Sequence, residues 1–192
     1  MNMSIRSIAG LMLCLGLVIA PNLARGQDGM PVPKPTAEHE RLTKDVGTWD
    51  ATIKSWGHGP DSEPAVSKGV EVVKLLPGGL WIHSDFEGKF GDQAFCGWGQ
   101  TGYDTKKGKY VGTWVDSMTT ELMSMEGDYD ASSRTLTMYA KGTDPSGKPY
   151  DAKMTTKHEG DDSHVFTMLV KSDETKGEYI KMMEITYKRR AK

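Results

Sequence analysis

Residues 122–141 read LMSMEGDYDASSRTLTMYAK, and this stretch decides the fold. Apolar and polar residues alternate on both sides of Asp130 to Arg134, a segment rich in turn-forming residues. Because side chains of a strand point alternately to opposite faces, Met125 and Met138 are expected on one face and the charged residues on the other. The stretch therefore predicts a β-hairpin with one buried face.

The same alternation recurs along the rest of the chain from Gly47 onward. Short connections rich in Gly, Pro, Asp and Ser separate the segments, and such tight links join neighbouring strands. A meander of many strands removes its exposed edges by closing on itself. We therefore expect an all-β fold, a single antiparallel up-and-down β-barrel of about ten strands. The predicted strands are Thr48–Trp56, Ala65–Leu76, Leu80–Phe86, Gln93–Tyr103, Lys109–Met118, Leu122–Tyr129, Thr135–Lys141, Tyr150–His158, His164–Lys171 and Glu178–Lys188.

One short helix is expected before the barrel. Thr36 is a typical N-cap residue, and Glu38 and Glu40 would place negative charge in the first turn. The helix is predicted to end at Asp45.

Three glycines, Gly97, Gly99 and Gly102, lie within one predicted strand. Glycine weakens a strand, so these residues are expected to mark bulges or sharp coiling of a small barrel. A phosphate-binding loop is the alternative, but no helix follows and no Lys-Ser/Thr pair is present.

The N-terminal residues have the pattern of an export signal. Residues 1–26 combine Arg6, an apolar run that is short for a membrane span, and the small-residue site Ala24-Arg25-Gly26. We expect a signal peptide cleaved near Gly26, a proline-rich spacer over residues 27–35 and a barrel domain over residues 36–192. The predicted location is periplasmic or secreted, with no integral membrane span after cleavage.

The net charge limits which partners are expected, and the cysteine content limits which disulfides can form. The chain has 24 basic and 26 acidic residues, and cleavage would remove two arginines and no acid, which leaves a net charge of about −4. This net charge argues against nucleic acid as a partner, since nucleic acid binds to basic surface patches. Removal of Cys14 would leave Cys96 as the sole cysteine, so no internal disulfide is expected. The sequence leaves the oligomeric state open.

Several motifs resemble one bacterial family. They are Val46-Gly47-Thr48-Trp49, Leu76-Pro77-Gly78-Gly79, Gly97-x-Gly99-x-x-Gly102-Tyr103-Asp104, Tyr110-Val111-Gly112-Thr113-Trp114-Val115-Asp116, His164-Val165-Phe166 and Met183-Glu184-Ile185-Thr186-Tyr187. Together they resemble the Domain of Unknown Function 1579 family. The resemblance implies a lipocalin-like barrel, often exported, of unsettled function, and it supplies no catalytic residues. The Gly-x-Trp sequence at Gly47 also resembles the opening of lipocalin-type barrels.

Four methionines, Met125, Met138, Met154 and Met168, fall about once per strand on the inferred inner face. Thioether side chains are flexible and polarizable, so such a wall suits a small apolar or amphipathic ligand. Simple filling of the core is the alternative.

A possible ligand anchor lies on two other strands. Trp114 and Asp116 share a face, and a carboxylate that points inward needs a partner. Tyr187 and Arg189 share a face of the last strand and are candidates for that role, a pair that resembles the Arg and Tyr of fatty-acid-binding barrels.

No cofactor or metal is predicted, since the histidines are scattered; the alternative is haem bound by His164, as in nitrobindin-like barrels. No nucleophile motif is present, and the sequence leaves open whether the protein is an enzyme.

The leading hypothesis is an exported barrel that binds a small apolar molecule. The alternatives are a filled barrel that docks a protein and an enzyme with its site at the barrel mouth.

Overall fold

The structure is a computed structural model that describes residues 32–57, 59, 61–90, 93–144 and 146–191. The predicted signal peptide and most of the spacer lie outside the described residues, so cleavage and export stay predictions. No helix in these ranges has both the length and the hydropathy needed to cross a membrane.

Ten antiparallel strands pair in chain order and close into a barrel. The strands are β1 (Gly47–Ser55), β2 (Ala65–Leu75), β3 (Trp81–Phe90), β4 (Gln93–Asp104), β5 (Lys109–Asp116), β6 (Met123–Asp130), β7 (Thr135–Thr143), β8 (Pro149–His158), β9 (Ser163–Lys171) and β10 (Ile180–Arg189). The pairing of β1 with β10, from Trp49 opposite Arg189 to Ser55 opposite Met183, closes the ring. The predicted ten-stranded meander is confirmed.

The alternation of apolar and polar residues gives the strands one buried face and one outward face. Met138 and Met154 are directly opposite each other on β7 and β8, and both are buried. Tyr139 and Lys153 are their neighbours on the two strands, face outward, and are paired in the same way. Burial of one face stabilises the register, because a slip by one residue would expose the apolar row.

A short helix covers the end of the barrel at which β1 begins. The α-helix α1 spans Ala37–Leu42 and continues as a 3₁₀ turn over Thr43–Asp45, which confirms the predicted helix. Leu42 is only 1% exposed, and the guanidinium of Arg41 lies 4.5 Å from the centre of the Tyr129 ring. We call this end the helix end and the opposite one the loop end.

The glycines of β4 do not produce bulges, so the first of the two expectations for them is wrong. The register of β4 with β3 and with β5 is continuous. Gly97 and Gly99 face inward, and the indole of Trp114 lies against both: a Cβ atom at Gly99 would be 3.0 Å from Trp114 Cε3, and one at Gly97 would overlap the ring. These two glycines make room for a large side chain on the neighbouring strand.

Gly97→Ala is therefore expected to lower the free energy of unfolding by about 1–3 kcal/mol, the usual effect of overpacking a wall. Gly160→Ala is the control, because a Cβ atom there would meet nothing within 4 Å. Urea denaturation of both variants measures the difference. If Trp114 is the cause, Gly97→Ala should destabilise a Trp114→Ala background much less; an equal effect in both backgrounds would contradict the explanation.

Candidate functional site

A charged cluster lies inside the helix end. Asp45 Oδ1 is 2.6 Å from His158 Nε2, and Asp45 Oδ2 accepts a hydrogen bond from Arg41 at 3.2 Å. Burial opposes ionisation of Asp45, but the hydrogen bond with His158 and the charge of Arg41 outweigh it and lower the pKa of Asp45. We call Arg41, Asp45, His158 and His164 the helix-end cluster.

His164 is packed between aromatic rings in this cluster. Its imidazole stacks on Tyr187 at 4.5 Å and meets Trp49 edge-on at 4.4 Å, both between ring centres. Burial lowers the pKa of His164 to about 4, although Asp45 opposes the shift. The imidazole is thus neutral at pH 7 and packed as part of the core, which is not the setting of a ligand to haem iron in an open pocket.

The sequence contained a signal for part of this cluster. His158 has the same parity on β8 as Met154, and His164 the same parity on β9 as Met168, so alternation alone places both imidazoles inside. Their direct pairing at the ends of β8 and β9 follows from the hairpin. The partnership with Asp45, 113 residues away from His158, has no such signal.

Another inward-facing acid, Glu71, was missed by sequence reasoning. Glu71 points inward from β2, opposite Trp49 on β1 and Phe86 on β3. Burial raises the pKa of its carboxyl to about 7, while the neighbouring Ser84 hydroxyl favours the charged form. No lysine, arginine or histidine within the described ranges forms an ion pair with Glu71; alternation on β2 would have found its inward direction.

The predicted methionine wall is inside the barrel. Met138 and Met154 are buried, whereas Met125 and Met168 are only partly buried and pack against the core. Trp114 is partly buried in the same way. All five side chains face the interior, as their pairings require.

Several inward-facing residues are partly exposed in the middle of their strands. Glu71, Ser84, Phe166 and Met168 are partly exposed although they lie well inside their strands. The strand backbone does not account for this, since the inward-facing Ala152 of the same barrel is 0% exposed. We attribute this exposure to space within the barrel, which we call the lumen.

The expected partnership of Asp116 with Tyr187 and Arg189 is wrong. Trp114 Nε1–H donates a hydrogen bond to Asp116 Oδ2 at 3.1 Å. Asp116 Oδ1 accepts the backbone N–H of Met118 at 2.8 Å. Asp116 ends β5 at the loop end, so it holds the indole of Trp114 and begins the following turn.

Tyr187 and Arg189 lie at the helix end. The guanidinium of Arg189 lies 4.0 Å above the Trp49 ring and donates to the carbonyls of Val46 and Lys44, both at 2.7 Å. Arg189 thus fastens β10 to the segment before β1 and does not face the lumen. Tyr187 is the neighbour of Glu71, and burial together with the Glu71 charge raises the pKa of its phenol well above 10.

A shallow groove of about 810 Å³ crosses β5 to β8. Most side chains that line it face outward, including Tyr139 and Leu122, and Lys141 and Asp151 of its rim form an ion pair. Within the part of the chain that the structure describes, no three His, Cys, Asp or Glu side chains are grouped to hold a metal ion.

The chain matches the model of a known protein family. The family model of DUF1579, described as a protein of unknown function, matches residues 34–189. The chain belongs to the DUF1579 family. The matched region begins before α1 and ends with β10, so the helix that covers the barrel is part of the family's domain. A search of curated proteins found no match.

The solved structures that match this chain are distant in sequence. A protein named EF1p2_mFAP2b, described as bound to DFHBI, is 14% identical over 80% of this chain and 100% of that one, with a TM-score of 0.43. A DUF3598 protein of unknown function from Nostoc punctiforme is 8% identical over 81% of this chain and 100% of that one, with a TM-score of 0.25.

Proposed function

We propose that this DUF1579 barrel binds a small, mostly apolar or amphipathic molecule in its lumen. The observation that carries the proposal is the partial exposure of mid-strand, inward-pointing side chains in a closed barrel. Sites for small molecules are concave, largely apolar and contain few polar groups. The lumen has this character, because Trp114, Met125, Phe166 and Met168 line it beside the carboxyl of Glu71.

The side chains that remain accessible suit such a ligand. Methionine adapts its shape to a guest, and aromatic rings offer large flat contact areas. The helix end is filled by its packed rings and charged cluster. A guest would therefore lie between this cluster and the loop end, against β5 to β10.

The test is to fill the lumen and to measure the binding of a neutral apolar dye. Met168→Trp adds a bulky ring to the lumen, and Leu169→Trp adds the same ring to the outer face of the same strand. We expect Nile red to bind the native protein with a saturable rise in fluorescence. Its affinity should fall at least about tenfold in Met168→Trp and stay unchanged in Leu169→Trp.

Circular dichroism shows whether each variant keeps its strands. If Met168→Trp does not fold, Ser84→Phe fills the lumen from the opposite wall and serves in its place. Absence of saturable binding to the native barrel, or equal affinity of the inward and outward variants, would contradict the proposal. The latter result would place the dye on the outer surface.

A further inference from the structure

The charges that face the lumen are of one sign. Between the helix-end cluster and the loop end, the inward positions of the ten described strands include two acids, Glu71 and Asp116, and no lysine or arginine. Arg189 also has an inward strand position, but its guanidinium is held at the helix end by backbone carbonyls and does not face the lumen. The space available to a guest is therefore bounded by acidic and apolar groups.

The two acids differ in the hydrogen bonds that they already accept. Both oxygens of Asp116 accept hydrogen bonds, from the Trp114 indole and from backbone N–H groups. Glu71 lies deeper, beside the hydroxyls of Ser84 and Tyr187, without a basic side chain to compensate its charge. A carboxylate removed from bulk water without a counter-charge is unfavourable, so a cation placed beside it gains a strong hydrogen bond and relieves that penalty.

An anionic guest would meet the opposite situation. Its carboxylate or phosphate would approach Glu71 and Asp116, and like charges at close range in a poorly solvated site repel strongly. The guanidinium of Arg189, which the sequence suggested as part of a ligand anchor, is held away from the lumen. Glu71 thus selects by charge, and the partly exposed aromatic and methionine side chains select for an apolar body.

We infer that the ligand of this barrel is an amphipathic cation, an apolar amine whose ammonium group donates a hydrogen bond to Glu71 while its hydrocarbon or aromatic part contacts Trp114, Phe166 and Met168. The inference depends on the proposed lumen binding and adds the ligand's charge. Aromatic faces in the lumen also favour a cation.

The experiment compares three probes of equal chain length: decylamine, decanol and decanoate. Each competes with Nile red for the native protein at pH 8 and low salt, below its micellar concentration. We expect decylamine to compete at least about tenfold better than decanol, since a charge-assisted hydrogen bond contributes that much, and decanoate to compete worst. In Glu71→Gln the advantage of the amine over the alcohol should vanish, while decanol competes as before.

Glu87→Gln is the matched control. It removes the same charge from the outer face of the neighbouring strand β3 and should leave the amine preference intact. If the three probes compete equally, or if the preference survives in Glu71→Gln, the inference fails and lumen binding stands. If loss of Glu87 removes the preference as well, the protein's overall charge is the cause and the inference fails. If no probe displaces the dye, the inference fails along with the assignment of the lumen as its binding place.

Discussion

Replacing Asp45 by alanine is expected to lower the free energy of unfolding by about 3–5 kcal/mol, because it leaves the buried guanidinium of Arg41 without its partner. The Asp45 carboxylate accepts from both Arg41 and His158, and Arg41 Nε already lacks a hydrogen-bond partner within the described structure. The same carboxylate joins the turn after α1 to the end of β8. Its loss should therefore loosen the attachment of the helix as well as leave Arg41 uncompensated.

Guanidinium chloride denaturation at pH 7 measures the effect. Asp128→Ala is the matched control, since it breaks an ion pair with Lys109 on the exposed face of the barrel. Exposed pairs contribute less than about 1 kcal/mol. Equal destabilisation by the two substitutions would mean that the helix-end cluster is no more important than a surface ion pair.

Glu71→Gln is expected to change how stability depends on pH. The pKa of Glu71 is about 7 in the folded protein and near 4.5 in the unfolded chain. The folded state then binds more protons between these values, so Glu71 makes stability fall as pH rises from about 4.5 to 7. Ser84, Tyr187 and the charge of Asp45 face this carboxyl and remain in the variant.

His164 acts in the opposite direction. Its pKa is about 4 when folded against 6.5 in the unfolded chain, so the unfolded chain binds more protons and stability rises with pH over this interval. In the native protein the two trends largely cancel. In Glu71→Gln the fall due to Glu71 is absent, while the rise due to His164 remains.

Glu71→Gln should therefore match the native protein near pH 4 and exceed its free energy of unfolding at pH 8. The difference has an upper limit of about 3 kcal/mol from the shift in pKa, and is smaller because Glu71 is partly exposed. Urea denaturation from pH 4 to 8 measures both profiles, with Glu87→Gln as the control. A difference between variant and native protein that does not change with pH would show that Glu71 ionises normally.

The strands could be predicted from the sequence because each carries its own alternation and ends at a recognisable turn. Tyr139 and Lys153 face outward for the same local reason that Met138 and Met154 face inward. The function of Gly97 and Gly99 was not predictable in this way. It depends on Trp114, a residue of the next strand whose ring direction is set by the closed barrel and by Asp116.

The site was predicted only in part. Alternation correctly directed the methionines, Trp114 and Asp116 inward, whereas the pairing of Asp116 with Arg189 was wrong. Strand direction explains the error: β5 runs from the helix end and β10 runs toward it, so their last residues lie at opposite ends. Glu71 was overlooked because a single acid on a polar strand resembles a surface residue. Only the pairing of β2 with its neighbouring strands shows that Glu71 faces the interior.

The seam between β1 and β10 has a consequence for how the chain reaches its native state. Nine of the ten strand pairings join sequence neighbours, and such hairpins close short loops at low entropic cost. The seam instead joins residues as distant as Asp50 and Arg190, 140 positions apart. The last of the ten strands to be made is thus the one that completes the ring, so until β10 is made the growing sheet has two unpaired edges that can capture other chains.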